Sequence, residues 1–191
     1  MKKYELTEET VTVYGKTLYR IRAVRDFGSV KTGEFGGYIE KEENLSHFDN
    51  AWVCGDAWVF GNARVYDDAW VFGNARVYDD AWVFGNARVC GDAKVYGNAR
   101  VYDDAWVSGN AEVFNTRHFF VQGPIGSRNG FITFYRTKDN TVEVRCGCFS
   151  GSLQKFVDRV EETHGGSRYE KEYKLAAELA KVCIRLEGES R

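Results

Sequence analysis

The chain has 191 residues, of which 43% are hydrophobic, with a formal net charge of −2 and five cysteines. That length fits one elongated domain or two small ones, and the near-neutral charge excludes whole-molecule attraction to nucleic acid or an anionic membrane. No apolar run approaches the ~20 residues needed to span a bilayer, and the lysines of MKKYELTEET have no apolar segment behind them, so no secretory signal is visible. The odd cysteine count and irregular spacing suggest no disulfide framework; a soluble, reduced, cytoplasmic protein is expected.

Residues 1–49 read as short strands: Tyr4–Leu6, then a hairpin in VTVYGKTLYRIRAV with Gly15-Lys16 at its turn. The passage DFGSVKTGEFGGYIE is glycine-rich. Its glycines are irregular and no helix follows them, so a phosphate loop is rejected. This segment is expected to cap whatever follows and to hide an unpaired strand edge.

From Asn50 the chain reads NAWVCG, DAWVFG, NARVYD, and so on to NAEVFN at Asn115, eleven unbroken hexads with Ala second and Val fourth every time. Such self-similarity is the first thing to settle in any sequence. Apolar residues at every second place, with Gly, Asp or Asn every six, fit no 3.6-residue period and exclude a helix. In short strands Val points inward and its neighbours outward, Ala fills the corner, and the Gly/Asp/Asn pairs take the left-handed conformations of sharp turns.

The pattern resembles the hexapeptide-repeat family. The resemblance implies a mainly β protein built on a left-handed parallel β-helix, with three hexads per coil and a triangular cross-section. Trp and Arg alternate every 12 residues while a coil takes 18, so one face carries Trp52, Trp70, Arg88 and Trp106, the next Trp58, Arg76, Lys94 and Glu112, and the third Arg64, Trp82 and Arg100. Stacked neighbours are then expected to be Trp over Arg rather than Trp over Trp. Beside them run two aromatic columns, Phe60-Tyr78-Tyr96-Phe114 and Tyr66-Phe84-Tyr102. These columns stiffen the prism and are the candidate interface of a homo-oligomer, because contiguous apolar faces usually meet something; the resemblance implies a trimer. The same 66 residues hold nine acidic and five basic side chains, which disfavours nucleic acid as a partner.

Hexapeptide acyltransferases typically use a coil-borne His as general base, and prism-type carbonic anhydrases bind zinc through three His. Here His47, His118 and His164 all lie outside the coils and show no ligand spacing. The pairs Asp67-Asp68, Asp79-Asp80 and Asp103-Asp104 read as corner residues satisfying their own turns. No catalytic residue, metal or cofactor is expected.

Residues 116–191 form a small α+β domain. HFFVQ, GFITFYR and VEVRCGCF read as three strands; SLQKFVDRVEETHG is a helix capped by Ser152 and stopped by Gly165; YEKEYKLAAELAKVCIRL is a second, amphipathic helix. Cys146 and Cys148 fall on one face of the third strand and read as buried thiols. With thirteen basic and ten acidic residues, this segment is locally positive. In GPIGSRNG, Gly126, Ser127, Arg128 and Asn129 can converge backbone amides, a hydroxyl and a guanidinium, a combination suited to phosphate or carboxylate. Thr133, Tyr135 and Arg136 on the following strand complete the candidate ligand site.

The flanks, GGYIEKEENLSH before the hexads and GPIGSRN, TFYRTKD, CGCFSG and ETHG after them, resemble proteins encoded by phages and prophages. The resemblance spans nearly the full length and implies an accessory role in the host cytoplasm. The expected function is a non-enzymatic oligomeric scaffold that captures a small anionic ligand, such as a nucleotide immune signal, or a host protein. The alternatives are an enzyme acting on a nucleotide or sugar-nucleotide and a structural virion or assembly component. No membrane partner is expected.

Overall fold

The computed structural model describes residues 2–187. The molecule is mainly β: a solenoid of about four coils, closed at one end by an N-terminal hairpin and at the other by a four-stranded sheet carrying two helices. Among the described residues no helix is long and apolar enough to cross a membrane.

Strands β1 (Tyr4–Val13) and β2 (Lys16–Ala23) form an antiparallel hairpin, and β3 (Phe35–Ile39) pairs with β2. The turn is at Tyr14-Gly15, one residue earlier than expected; both residues have positive φ, the geometry that matches strand twist in a two-residue loop. The first short strand and the hairpin's leading strand are one element, bent by an irregularity between Leu6 and Thr10.

Eleven two-residue strands follow, one per hexad: β4 (Trp52–Val53), β5 (Trp58–Val59), β6 (Arg64–Val65), and onward every six residues through β7 (Trp70–Val71), β8 (Arg76–Val77), β9 (Trp82–Val83), β10 (Arg88–Val89), β11 (Lys94–Val95), β12 (Arg100–Val101) and β13 (Trp106–Val107) to β14 (Glu112–Val113). Each strand pairs in parallel with the one 18 residues on, giving three faces: β5-β8-β11-β14, β4-β7-β10-β13 and β6-β9-β12. Every repeat Val and Ala is buried. Backbone amides such as Trp70 N and Phe72 N donate at 2.9 Å to Ala87 O and Val89 O of the next coil, so the narrow interior needs no polar atom.

The outward residues stack as their periods require. Phe60, Tyr78 and Tyr96 lie face to face at centroid separations of 5.1 and 4.9 Å, and Tyr66, Phe84 and Tyr102 at 5.0 and 5.6 Å. Phe114 tilts over Tyr96 at 5.3 Å. Guanidinium groups sit over indoles: Arg76 over Trp58 at 4.5 Å and Arg100 over Trp82 at 4.9 Å. Three register pairs depart from the expected Trp-over-Arg order: Arg76 with Lys94, Lys94 with Glu112, and Trp52 with Trp70. Trp52 is buried edge-on against Tyr4 and Phe27 of the N-terminal cap. Phe60 is likewise covered, by Val13 and Leu18 of the hairpin, and is therefore withdrawn from any interface with another chain.

A second ladder runs along the corners. Asn50, Asn62, Asn74 and Asn86 donate to Asp68, Asp80, Asp92 and Asp104 one coil on, at 2.7–3.2 Å. Asp67 and Asp79 accept from the amides of Gly85 and Gly97 rather than from their own turns, because in-register stacking brings the next coil's amide within reach.

The cap continues the coil path. Tyr38 and Ile39 of β3 pair with Trp58 and Val59, Leu45 bridges Val65, and the buried Asn44 side chain donates to Ala63 O at 2.8 Å. Gly37 permits this: a Cβ there would lie 2.6 Å from Ala57 O. Lys3 is also buried, donating to Ala51 O at 2.7 Å, and burial pulls its ammonium down to about 8.

Beyond the solenoid come β15 (Phe119–Ile125), β16 (Gly130–Arg136), β17 (Val142–Cys146), β18 (Phe149–Ser152), α1 (Leu153–His164) and α2 (Arg168–Cys183). The sheet has four antiparallel strands in chain order, not three. VEVRCGCF breaks at Gly147, whose φ of +55° opens a tight turn between Cys146 and Phe149. Ser152 caps α1, accepting from Lys155 N, and Gly165 ends it, as the sequence predicts. Ser167 caps α2.

Candidate functional site

Strand β16 has two faces with different tasks, and the split decides which of the expected ligand residues are available. Thr133, Tyr135 and Arg136 are at most 2% exposed and turn toward the last coil. Thr133 Oγ1 accepts from Trp106 N at 2.9 Å, Tyr135 Oη is 3.1 Å from Ser108 Oγ, and Arg136 donates to Glu112 O at 3.3 Å and pairs with Glu112 and Glu187. All three close the solenoid's open end, and Thr133 and Arg136 satisfy backbone groups that another coil would otherwise satisfy. They are removed from the ligand site. The sequence placed them on a strand beside the turn, but an isolated strand does not show which face a neighbouring body covers.

The GPIGSRNG turn joins β15 to β16, and here the expected residues stay together. Ser127, Arg128 and Asn129 are exposed at its tip. Gly126 is buried with φ +71°, and a Cβ on it would lie 1.8 Å from the Tyr173 hydroxyl, so α2 approaches this turn more closely than any side chain allows. The Gly126 amide donates at 2.9 Å to Glu172 Oε2. This amide, expected to receive an external anion, is already occupied by a carboxylate of the chain itself.

Two depressions flank the turn. One, of about 420 Å³, lies between the turn and α2 and is lined by Pro124, Ile125, Leu175 and Leu179 with Arg168 and Glu172 at its polar end. The other, of about 790 Å³, lies on the opposite side between the turn, the β17–β18 loop and α1. Arg128 reaches it from the turn, Lys155 and Arg159 from one side of α1, and Cys146, Cys148 and Phe149 from the sheet. Asp158 and Glu162 are also on its rim, and Glu162 pairs with Arg159 at 3.3 Å. Arg128 and Lys155 enter no ion pair among the described residues.

Cys146 and Cys148 are not two buried thiols on one strand face. Cys146 is half-buried on β17, whereas Cys148 is exposed in the tight turn that Gly147 opens. Burial raises the Cys146 thiol above its ordinary value, partly opposed by hydrogen bonding with Tyr173. The Tyr173 hydroxyl is in turn pushed up to about 12, by burial first and then by Cys146. Lys155, Arg159 and Tyr173 were missed from sequence because they look like ordinary amphipathic-helix residues; only the packing of α1 and α2 on the sheet brings them to Arg128.

His47 and His118 are structural. His47 stacks on Tyr4 at 4.3 Å, and His118 is buried at the solenoid's end beneath Phe114. Among the described residues no cluster of three or more His, Cys, Asp or Glu could hold a metal ion.

Residues 93–109 match the family described as YdcK beta solenoid repeat. No curated protein matches the chain.

Proposed function

We propose that the protein is a non-enzymatic, oligomeric binding scaffold of the kind phages and prophages carry, in which the solenoid holds a C-terminal domain that captures a small phosphate- or carboxylate-bearing ligand. The observation that carries this reading is the cleft of about 790 Å³ where Arg128, Lys155 and Arg159 converge, two of them with no ion pair among the described residues. Arg offers a planar fork and Lys a mobile point charge, a pairing suited to a phosphate. The domain bearing the cleft is joined to the solenoid through β16, which is also the solenoid's plug. A host cytoplasmic location and the phage origin rest on the resemblance of the GGYIEKEENLSH and GPIGSRN to ETHG segments. A nucleotide signal is the ligand class that best combines that setting with the cleft's charge.

Isothermal titration against nucleotides, cyclic dinucleotides and sugar phosphates is the test. At least one phosphorylated ligand should bind, and Arg128→Ala should weaken it roughly tenfold or more, as expected for loss of a charge-assisted hydrogen bond. Silence across the panel, or an unchanged affinity in Arg128→Ala, removes the site.

Self-association is proposed through α2. Leu175, Leu179 and Val182 are 71, 47 and 81% exposed, whereas no large apolar side chain in the coils is exposed to a comparable degree. The terminal domain is thus better suited than the aromatic columns to join copies into a trimer.

A further inference from the structure

We propose that Cys146-Gly147-Cys148 is a redox-active dithiol that closes to an internal disulfide by exchange with a low-molecular-weight disulfide bearing carboxylates. Both thiols line the same cleft, and they differ in access: Cys148 is exposed at the turn and Cys146 is half-buried behind it. That asymmetry assigns the roles. Cys148, as thiolate, attacks one sulfur of the incoming disulfide, the S–S bond breaks, and one thiol leaves after taking up a proton. Cys146 then gives up its proton and attacks the Cys148 sulfur of the mixed disulfide; the Cys146–Cys148 bond forms and the second thiol leaves with that proton. Two protein thiols are oxidised and one small disulfide is reduced to two thiols.

The turn permits the product. Residues two apart cannot have Cα atoms beyond about 7.6 Å, and a tight turn shortens this into the ~4.4–6.8 Å that disulfides span. Gly147 at φ +55° supplies the turn at no cost to a side chain. Arg128, Lys155 and Arg159 around the thiols favour a disulfide that carries negative charge. Cys54 and Cys90, by contrast, belong to the coils, and the Cys90 sulfur already accepts from Trp106 Nε1 at 3.2 Å.

The inference uses the cleft of the proposed ligand site but rests on that reading only for the preference between charged and uncharged disulfides. The reduced full-length protein is incubated with glutathione disulfide or with uncharged hydroxyethyl disulfide, and intact mass and peptide mapping are followed with time. The wild type should lose two hydrogens, with the new bond mapped to Cys146 and Cys148. Cys146→Ser should stall with one glutathione on Cys148, and Cys148→Ser should react at least ~10-fold more slowly, since only the half-buried thiol remains. Arg128→Ala should slow the reaction with glutathione disulfide more than that with hydroxyethyl disulfide. A wild type that stays reduced, a bond joining other cysteines, or a Cys148→Ser variant as fast as the wild type would overturn the proposal. Equal rates with both disulfides in the wild type would overturn the charge preference. Phosphate-ligand titration of the Cys146→Ser/Cys148→Ser double variant reads the ligand site separately, so the two failures are distinguishable.

Discussion

His118 shows how a single residue couples the last coil to the domain that follows. Its Nδ1 accepts from the Phe114 amide at 3.4 Å, and its Nε2 lies 2.9 Å from the Asn115 amide nitrogen. With Nδ1 accepting, the neutral ring carries its hydrogen on Nε2, and protonation would add a second N–H at Nδ1, aimed at the Phe114 amide. Burial first, and the nearby Arg136 second, lower its pKa to about 4. The native state therefore refuses a proton that the unfolded chain accepts near pH 6.5. The corresponding stability is complete above that pH and is lost as pH falls toward 4, to a ceiling of about 3 kcal/mol. Urea midpoints followed from pH 7 to 4.5 should fall more steeply for the wild type than for His118→Gln, since carboxylates such as Asp26, held down at about 2, titrate unfolded only near 4. Parallel profiles would refute this role for His118.

Helix α2 has two apolar seams where one would suffice to hold it. Ala176, Ala177, Ala180 and Ile184 pack inward against the sheet, small enough to bring the helix close. Leu175, Leu179 and Val182 point away, and with Arg168 and Glu172 they continue a four-three spacing typical of helices that pack against a partner. The sequence shows an amphipathic helix but cannot tell which stripe meets the sheet, because both are apolar. A Leu175→Glu/Val182→Glu variant should remain folded, with stability changed by no more than about 0.5 kcal/mol per site, while light scattering at micromolar concentration drops from the trimer mass to the monomer mass. A monomeric wild type, or a variant of unchanged mass, would exclude association through this helix.

At the scale of the whole molecule, the solenoid and its terminal elements share one core. Tyr135 and Phe119 of the C-terminal sheet, and Tyr4, Phe27 and Ile39 of the cap, belong to the same buried cluster as the repeat valines. A solenoid with open ends would leave a ring of valines and a row of unpaired strand edges in water, so the ends are required elements. Calorimetry should show a single unfolding transition for the full chain, and Tyr135→Ala should destabilise all of it by about 3–5 kcal/mol, the range for removing a large buried aromatic. Two resolved transitions in the wild type would show that solenoid and C-terminal domain fold independently.

The repeat was fully legible in the sequence, because a six-residue period with Val and Ala at fixed places admits only one inside and one outside. The 18-residue coil then fixes which outward residues stack, down to Arg over Trp and Tyr over Phe. Those contacts are set by arithmetic between neighbours in a quasi-one-dimensional ladder. The ends and the cleft obey no such rule. Trp52 and Phe60 follow the repeat yet are buried by the cap; Thr133, Tyr135 and Arg136 look like the wall of a binding site yet plug the last coil. Cys148 reads as a buried strand thiol and Lys155 as an ordinary helix residue, yet both face Arg128 across a cleft. In each case the deciding contact joins segments far apart in the chain, where no periodicity relates one residue to the other. The tertiary structure alone chooses which face of a strand is covered.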